Sequence, residues 1–233
     1  MTHAPRYRDH TFTPTSGGMT PALPLVVASD PVPEILTPLQ KAAKRSLDIT
    51  VSLIALLVLA PVLLLAILGA RRSTGESGVF RQVRIGRGGE EIVVHKLRAM
   101  RTVSDVRTTV TTAHDVRITS LGRFLRRTKL DEVPQFYDVL RGAMSLVGPR
   151  PDVPGWADEL SGADRALLSV RPGITGPATL AYSDEEFILA AAEDPEAYNR
   201  DVIWPDKVRL NLEYLENWSL RADLVCLVRT VVR

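Results

Sequence analysis

Residues 49–70 read "ITVSLIALLVLAPVLLLAILGA" and carry no charged side chain. As an α-helix rising ~1.5 Å per residue, this run would be ~33 Å long, and the hydrocarbon core of a bilayer is ~30 Å thick. A secretory signal peptide is disfavoured because the run starts far from Met1, behind a proline-rich leader. A buried helix of a soluble protein would be unusually long and uniformly apolar. We therefore expect residues 41–72 to lie in a membrane.

Basic residues flank this run on both sides, with Lys44 and Arg45 before it and Arg71 and Arg72 after it. Because basic flanks favour the cytoplasmic side of a membrane, both ends are satisfied only if the chain enters and leaves on the same face. Pro61, near the centre of the run, removes one backbone hydrogen bond and favours a kink. The pattern predicts a re-entrant helical hairpin, with a simple transmembrane span as the alternative.

The remaining sequence predicts two further regions. Residues 1–40 contain seven prolines, and we expect this leader to be disordered. Residues 73–233 predict a small cytoplasmic domain of mixed α/β class, with a β-hairpin around "GRGG" and an amphipathic helix in "SLGRFLRRT". The end of the chain, "NLEYLENWSLRADLVCLVRTVVR", either packs in the core or lies on the membrane surface as an amphipathic interfacial helix.

Composition excludes several function classes. The net charge of +2 does not indicate a nucleic-acid partner. A single cysteine, Cys226, excludes an intrachain disulfide and any site with several cysteine ligands. The four histidines are scattered, without the spacing of a metal motif.

Two adjacent carboxylates stand in "LRRTKLDEVPQFYDVLRG", residues 125–142. Apolar side chains in this stretch recur at the spacing of a helix from Val133 to Leu140, and Gly142 would end that helix. Asp131 and Glu132 would then lie near its N-terminus, where the helix dipole stabilises negative charge. One interpretation is that Asp131 merely caps the helix.

The surrounding residues indicate chemistry on phosphates. The preceding helix supplies Arg123, Arg126 and Arg127, which could bind phosphate in bidentate fashion, and "VGPRP" adds Arg150. A helix N-terminus also attracts anions. A membrane segment beside such residues suggests a phosphorylated lipid or a nucleotide-linked substrate. Glycosidase chemistry fits poorly, since adjacent side chains on a helix diverge by roughly 100°. A nucleophilic aspartate that forms an acyl phosphate fits better.

Several segments resemble the bacterial sugar transferases, the monotopic phosphoglycosyl transferases. These segments cover about residues 41–230 in the order of that family. They are "KRSLD", "APVLLLAIL", "FRQVRIGRGG", "HKLRAM", "LGRFLRRTKLDEVPQFYDVLRGAMSLVGPRP", "RPGITGPATL" and "NLEYLENWSLRADL".

The resemblance implies an enzyme of the bacterial inner membrane that binds a UDP-sugar and Mg²⁺ on the cytoplasmic face. Asp131 would attack the β-phosphate and expel UMP, and undecaprenyl phosphate would then accept the sugar phosphate. Asp131 would also help to hold Mg²⁺, and Glu132 matches the second acid of the catalytic pair. The positions that match phosphate- or substrate-binding motifs of the family are Lys96, Arg98, Arg126, Arg150 and Arg171.

Two positions depart from the family pattern. Ala60 precedes Pro61 where members often have serine, and Ala143 follows "RG" where many have an acid. A degenerate enzyme is therefore one alternative, and a non-catalytic membrane adaptor that binds anionic lipid is another. We expect residues 179–204 to hold the sugar, whose identity stays open, and a homodimer is one alternative for the assembly.

Overall fold

The computed structural model describes residues 31–102 and 115–232, which form a mixture of helices and short strands joined to one long apolar helix. The helices are α1 (Pro38–Thr74), α2 (Ser120–Arg127), α3 (Gln135–Leu140), α4 (Pro177–Ala181), α5 (Glu185–Ala191), α6 (Pro195–Tyr198), α7 (Trp204–Glu216) and α8 (Leu220–Val232). The strands are β1 (Val79–Ile85), β2 (Glu91–Leu97), β3 (Ser145–Val147) and β4 (Gly173–Thr175).

Helix α1 begins earlier than the sequence predicts. Thr37 caps it, since the Thr37 hydroxyl accepts a hydrogen bond from the Gln40 amide at 3.3 Å and the Gln40 side chain accepts one from the Thr37 amide at 2.8 Å. Leu36, just before the cap, is buried in the main core. Helix α1 thus begins within the segment that the sequence analysis assigns to the leader, and residues 1–30 lie outside the described part of the chain.

Helical conformation continues across Pro61 until α1 ends at Gly75, whose φ of +78° is the left-handed geometry typical of a helix end. Any bend at Pro61 is thus accommodated within helical geometry. The helix is long and apolar enough to cross a membrane, and little of its most apolar part is buried by the rest of the protein. Its exposed apolar side chains include Leu53, Ile54, Leu57, Val58, Leu64, Leu65 and Leu68.

The predicted β-hairpin is confirmed. Strands β1 and β2 pair antiparallel in a register that places Val79 opposite Leu97 and Ile85 opposite Glu91. The turn between them uses two glycines in the left-handed region, Gly88 and Gly89, with φ of +77° and +84°. The hairpin buries Val94 in the main core and Leu97 in a second cluster.

The predicted helices on either side of the acidic pair are also present. Helix α2 is capped by Thr119, whose hydroxyl accepts a hydrogen bond from the Gly122 amide at 2.9 Å. Leu125 of α2 is buried against Ala70 near the C-terminal end of α1. Helix α3 stops before Gly142, which has φ of +86°. Both helices therefore end where local sequence signals place their boundaries.

The C-terminal segment forms two helices, and they differ in how much of their apolar surface is buried. Helix α7 packs Tyr214 and Leu215 into the core beside the parallel strands β3 and β4. Helix α8 buries Asp223 and Cys226 but leaves a row of apolar side chains exposed. These exposed residues are Leu220, Leu224, Val225, Val228, Val231 and Val232.

The N-terminal part of α1 is bonded to the α/β domain by two further side chains. The Arg45 guanidinium donates to the carbonyls of Val139 and Leu140, the last two residues of α3, at 2.6 and 2.7 Å. The Asp48 carboxylate accepts from the Leu146 amide of β3 at 2.9 Å. These contacts fix the base of α1 against α3 and β3.

A buried ion pair joins α1 to α8. The Lys44 ammonium lies 2.6 Å from one carboxylate oxygen of Asp223, and the Tyr214 hydroxyl donates to the other at 2.5 Å. All three residues are less than a tenth exposed. A buried charge without its partner is strongly unfavourable, so each member depends on the others.

We expect Asp223→Ala to lower the free energy of unfolding by roughly 3–5 kcal/mol, because it leaves the Lys44 ammonium buried and unpaired. Chemical denaturation in detergent micelles would measure the change. Asp201→Ala is the matched control, since Asp201 is paired with Arg200 at an exposed position, and we expect its effect to stay below about 1 kcal/mol. Equal effects for the two variants would contradict the assigned role of the buried pair.

Candidate functional site

Asp131 and Glu132 lie in a single 3₁₀ turn, Leu130–Glu132, between α2 and α3. Lys129 starts this turn with φ of +58°, and it is the one non-glycine residue in the described ranges with positive φ. This left-handed residue ends the direction of α2 and turns the chain towards α3. The acids therefore precede α3, as the sequence predicts, but they belong to this separate turn and not to α3 itself.

Glu132 is held by two cations. One of its carboxylate oxygens lies 2.5 Å from an Arg150 nitrogen and 3.6 Å from the Lys96 ammonium. Burial opposes ionisation of Glu132, but Arg150 and Lys96 outweigh it and lower the pKa of this carboxyl to about 2. Glu132 in turn raises the pKa of Arg150. Glu132 is thus a permanently charged member of a tight ion-pair cluster.

Asp131 has a different environment. Its Oδ1 atom is buried and accepts no hydrogen bond from the residues that the structure describes. Burial, and then the neighbouring charge of Glu132, raise the pKa of Asp131 to about 6, although Lys96, Arg126 and Arg150 oppose the shift. The capping interpretation is therefore wrong for α3, which shows no side-chain cap. Asp131 is an under-solvated carboxylate that is ionised at neutral pH.

Arg126 faces Asp131 from the end of α2, and its guanidinium is paired with Glu186 of α5. The next residue back, Glu185, makes a second ion pair with Lys207 of α7, with both carboxylate oxygens 2.7 Å from the ammonium. The first turn of α5 thus places two acids against cations in and beside the site.

Sequence reasoning missed Arg84 and Asp152. The Arg84 guanidinium donates to the Pro151 carbonyl at 3.1 Å, and burial followed by repulsion from Arg150 lowers the pKa of Arg84 to about 10. Burial raises the pKa of Asp152 to about 6 against the attraction of Lys207. Arg84 lies in "FRQVRIGRGG", a segment that resembles the family, and its place in that segment was the available signal. Its strand pattern alone does not distinguish it from other strand residues. Both residues surround Arg150 with further charge.

Lys96 belongs to the cluster, whereas Arg98 and Arg171 bind elsewhere. Burial and then the charge of Arg150 lower the pKa of Lys96 to about 8. Arg98 lies 2.9 Å from Glu76 and stacks on the Phe80 ring. Arg171 donates to the Gly142 carbonyl at 2.7 Å, in the turn that also carries Ala143. Of the five predicted substrate-binding residues, the structure brings Lys96, Arg126 and Arg150 to the acidic pair.

The geometry is compatible with the predicted Mg²⁺ at Asp131. The buried, unpaired Oδ1 atom is the hard anionic oxygen that this ion prefers. No group of three or more His, Cys, Asp or Glu side chains in residues 31–102 and 115–232 could hold a metal. Mg²⁺ is commonly bound by one or two carboxylates together with substrate phosphates, so a single protein ligand fits.

Two of the cavities along the described residues differ in size and lining. A cavity of about 30 Å³ beside Arg150 and Asp152 has the volume of about one water molecule. A larger groove of about 880 Å³ lies between α4, α7 and α8 and is mostly apolar. The cations at the acidic pair lie partly open to solvent, since the Arg150 side chain is 38% exposed and the Lys96 side chain is 22% exposed.

The structure thus joins a long apolar helix to a cluster of cations and to a carboxylate with an unpaired oxygen. Residues 39–233 match the bacterial sugar transferase family, to which this chain belongs. It is 35% identical, over 87% of its length, to a UDP-glucose:undecaprenyl-phosphate glucose-1-phosphate transferase of Escherichia coli. It is 32% identical, over 97% of its length, to a protein of that name from Caulobacter vibrioides. It is 33% identical, over 83% of its length, to the exopolysaccharide production protein ExoY of Rhizobium meliloti.

These relatives differ in size. The chain spans 43% of the length of the Escherichia coli protein, 80% of the Caulobacter protein and 86% of ExoY. The residues that match the family, 39–233, contain all of α1 except Pro38, the acidic pair and every cation of the cluster described above.

We expect Asp131→Asn to raise the thermal unfolding midpoint at pH 7.5, because it removes an ionised carboxylate whose folded-state pKa, about 6, lies above the model-peptide value of 3.8. The gain corresponds to about 1 to 3 kcal/mol. It should shrink as the pH falls through 6 and vanish below about 4, where the carboxyl is protonated in both states. Thermal scans of both proteins across this range measure it, and a wild-type protein that is the more stable at pH 7.5 would contradict the buried charge.

Proposed function

We propose that this chain transfers a sugar 1-phosphate from a UDP-sugar to undecaprenyl phosphate and releases UMP. The observation that carries the proposal is the environment of Asp131, a buried carboxylate with an unpaired oxygen beside Lys96, Arg126 and Arg150. Such a carboxylate is a competent nucleophile, and the cations suit the phosphates that it would attack. The names of the relatives support this substrate class, and UDP-glucose is the first donor to test.

The proposed reaction has two steps at one phosphorus atom. An Asp131 oxygen attacks the β-phosphorus of the UDP-sugar, and the bond from this phosphorus to the oxygen bridging the α-phosphate breaks, so UMP leaves with both electrons. The sugar phosphate is then held on Asp131 as an acyl phosphate. A phosphate oxygen of undecaprenyl phosphate attacks the same phosphorus and frees the carboxylate.

The two acids have unequal roles in this mechanism. Glu132 is engaged by Arg150 and Lys96, so its charge orients these cations and leaves them able to hold phosphate oxygens. Asp131 is ionised at neutral pH without being neutralised by a direct ion pair, which supports it as the attacking group. Bound Mg²⁺ would neutralise charge on the phosphates, with Asp131 as its protein ligand.

The acceptor can reach the site from the membrane. Arg45, at the base of α1, bonds to the last carbonyls of α3, and the acidic pair lies just before the first residue of α3. Because α3 has six residues and is ~9 Å long, Asp131 lies close to the point where α1 leaves the domain. This proximity suits a substrate whose phosphate lies at the bilayer surface. Inner-membrane location and a cytoplasmic catalytic domain are parts of the same proposal.

The re-entrant arrangement of α1 is also a proposal, and contacts at both of its ends support it. Arg45 in the first arm bonds to α3, and Ala70 in the second arm is buried against Leu97 and Leu125. A straight helix would separate residues 45 and 70 by ~37 Å. Strand β2 and helix α3 are neighbours, since the His95 amide donates to Asp138 at 2.8 Å. Two ends held on adjacent elements of one small domain favour entry and exit on one membrane face.

The exposed apolar face of α8 supports an interfacial position for this helix. Val225 and Val228 are exposed on it, while Asp223 on the opposite side bonds to Lys44 at the base of α1. A helix beside the membrane segment, with an apolar outer face, suits the boundary between lipid and water. This arrangement would keep the domain against the bilayer during transfer.

Purified protein with a UDP-sugar labelled in the β-phosphate, without acceptor, should become labelled and release UMP, because the phosphate is transferred to Asp131. Label in the α-phosphate should leave as UMP. Asp131→Asn should lose both signals, and Asp201→Asn, an exposed acid remote in sequence, is the control. A panel of UDP-sugars in the same assay identifies the donor.

Full turnover by Asp131→Asn would contradict the mechanism. UMP release without labelled protein, even after rapid quenching, would indicate direct transfer between the two substrates. No UMP release from any UDP-sugar would favour the non-catalytic adaptor or a degenerate enzyme.

For the membrane topology, we expect Gln40→Cys and Ser73→Cys, each in a Cys226→Ser background, to be accessible from the same side. The reason is that both residues adjoin basic flanks held on one domain. A membrane-impermeant maleimide applied to inside-out and right-side-out vesicles measures accessibility. Labelling from opposite sides would establish a simple span and refute the re-entrant arrangement.

A further inference from the structure

Helix α5 is attached to the domain mainly by charge. Leu189 is the one buried side chain among its residues, and Phe187 beside the ion pairs is 66% exposed. Two ion pairs at its first turn, Glu185 with Lys207 and Glu186 with Arg126, complete its attachment. A segment with little buried apolar surface opens at low free-energy cost.

The two ion pairs differ in whether their cation acts on Asp131. Lys207 belongs to α7 and lies over the Tyr182 ring, apart from the acidic pair. Arg126 is one of three cations acting on Asp131, and its guanidinium is already bound by the Glu186 carboxylate. An incoming phosphate would need the same donor groups, because a carboxylate and a phosphate bind a guanidinium in the same way.

Resting on the proposed function, we infer that Glu186 is a positioning residue that controls access of the donor diphosphate to Arg126. In the substrate-free protein Glu186 occupies the guanidinium. The donor exchanges one anion for another, and α5 moves away from the site while Glu185 keeps its pair with Lys207. The ligand class recognised at this point is a diphosphate.

The strengths of the competing contacts favour this exchange. The Glu186 side chain is 42% exposed, and such a pair is weakly held in water. A diphosphate brings more charge than a carboxylate and can bind Arg126 and Arg150 together. Because Glu186 opposes the donor only before it binds, its removal should change donor affinity and leave the bound-state chemistry unaltered.

Glu186→Gln should lower the KM for the UDP-sugar about two- to fivefold with kcat unchanged, which is the range expected from losing one exposed ion pair. Inorganic pyrophosphate, titrated calorimetrically into the protein in detergent micelles, should bind tighter by the same factor. Glu193→Gln, the same charge change at an exposed position of the same acidic segment, is the matched control and should alter neither quantity.

Two further measurements separate competition from a structural role. In an Arg126→Gln background, Glu186→Gln should change pyrophosphate affinity by less than about twofold, since the competing pair is already absent. Amide hydrogen exchange in α5 should become faster when pyrophosphate is added to the wild-type protein. Weaker pyrophosphate binding by Glu186→Gln, or slower exchange in α5, would overturn the inference.

The outcomes also distinguish this inference from the proposed function. If pyrophosphate binds the wild-type protein but Glu186→Gln binds it no more tightly, control by Glu186 is refuted and the transferase proposal stands. If Glu186→Gln tightens pyrophosphate binding while no UDP-sugar yields UMP, the transferase proposal is refuted and competition between Glu186 and a diphosphate for Arg126 stands. If pyrophosphate binds neither protein, control by Glu186 is refuted, and UMP release from UDP-sugars decides the transferase proposal separately.

Discussion

The arrangement of this protein depends on the bonds that three side chains make at the base of its long apolar helix, α1. Lys44 is buried against Asp223, Arg45 bonds to the end of α3, and Asp48 accepts from β3. Together they connect α1 to both the C-terminal helices and the element that follows the acidic pair. Because Lys44 and Asp223 form a buried ion pair, loss of either one leaves a costly unpaired charge.

A second constraint makes two adjacent carboxylates chemically different. Arg150 and Lys96 contact Glu132, so most of the local positive charge is committed to that residue. Asp131 receives only longer-range attraction, which does not overcome its burial and its repulsion from Glu132. The two adjacent carboxylates therefore differ in their charge environment, and the sequence motif alone does not reveal this difference.

Local features were readable from the sequence. The β1–β2 hairpin follows from alternation around "GRGG", and α2 and α3 follow from apolar spacing and from Gly142. Family resemblance placed Lys96, Arg126 and Arg150 in the site, and the structure brings these residues to the acidic pair.

Long-range pairing was not readable. Arg150, which bonds to Glu132, lies 18 residues from it, and Glu186, which pairs with Arg126, lies 60 residues from it. Nothing in either local sequence pattern selects these partners. The sequence indicates Lys44 and Arg45 as basic flanks of a membrane segment, whereas in the structure both side chains bond to the α/β domain. Arg84 is not predicted from the sequence because a polar strand residue reveals no role until its hydrogen-bond partner, the Pro151 carbonyl, is known.

The segment from Thr119 to Gly142 has its own boundaries built in. Thr119 caps its first helix, Lys129 reverses the chain before the acids, and Gly142 ends the second helix. Arg126 and Asp131 therefore owe their relative placement to one short, self-delimited unit. A chimera between members of the family that exchanges this unit whole would carry over a matched set of groups. A junction between Arg126 and Asp131 would instead divide the turn that sets their relative placement.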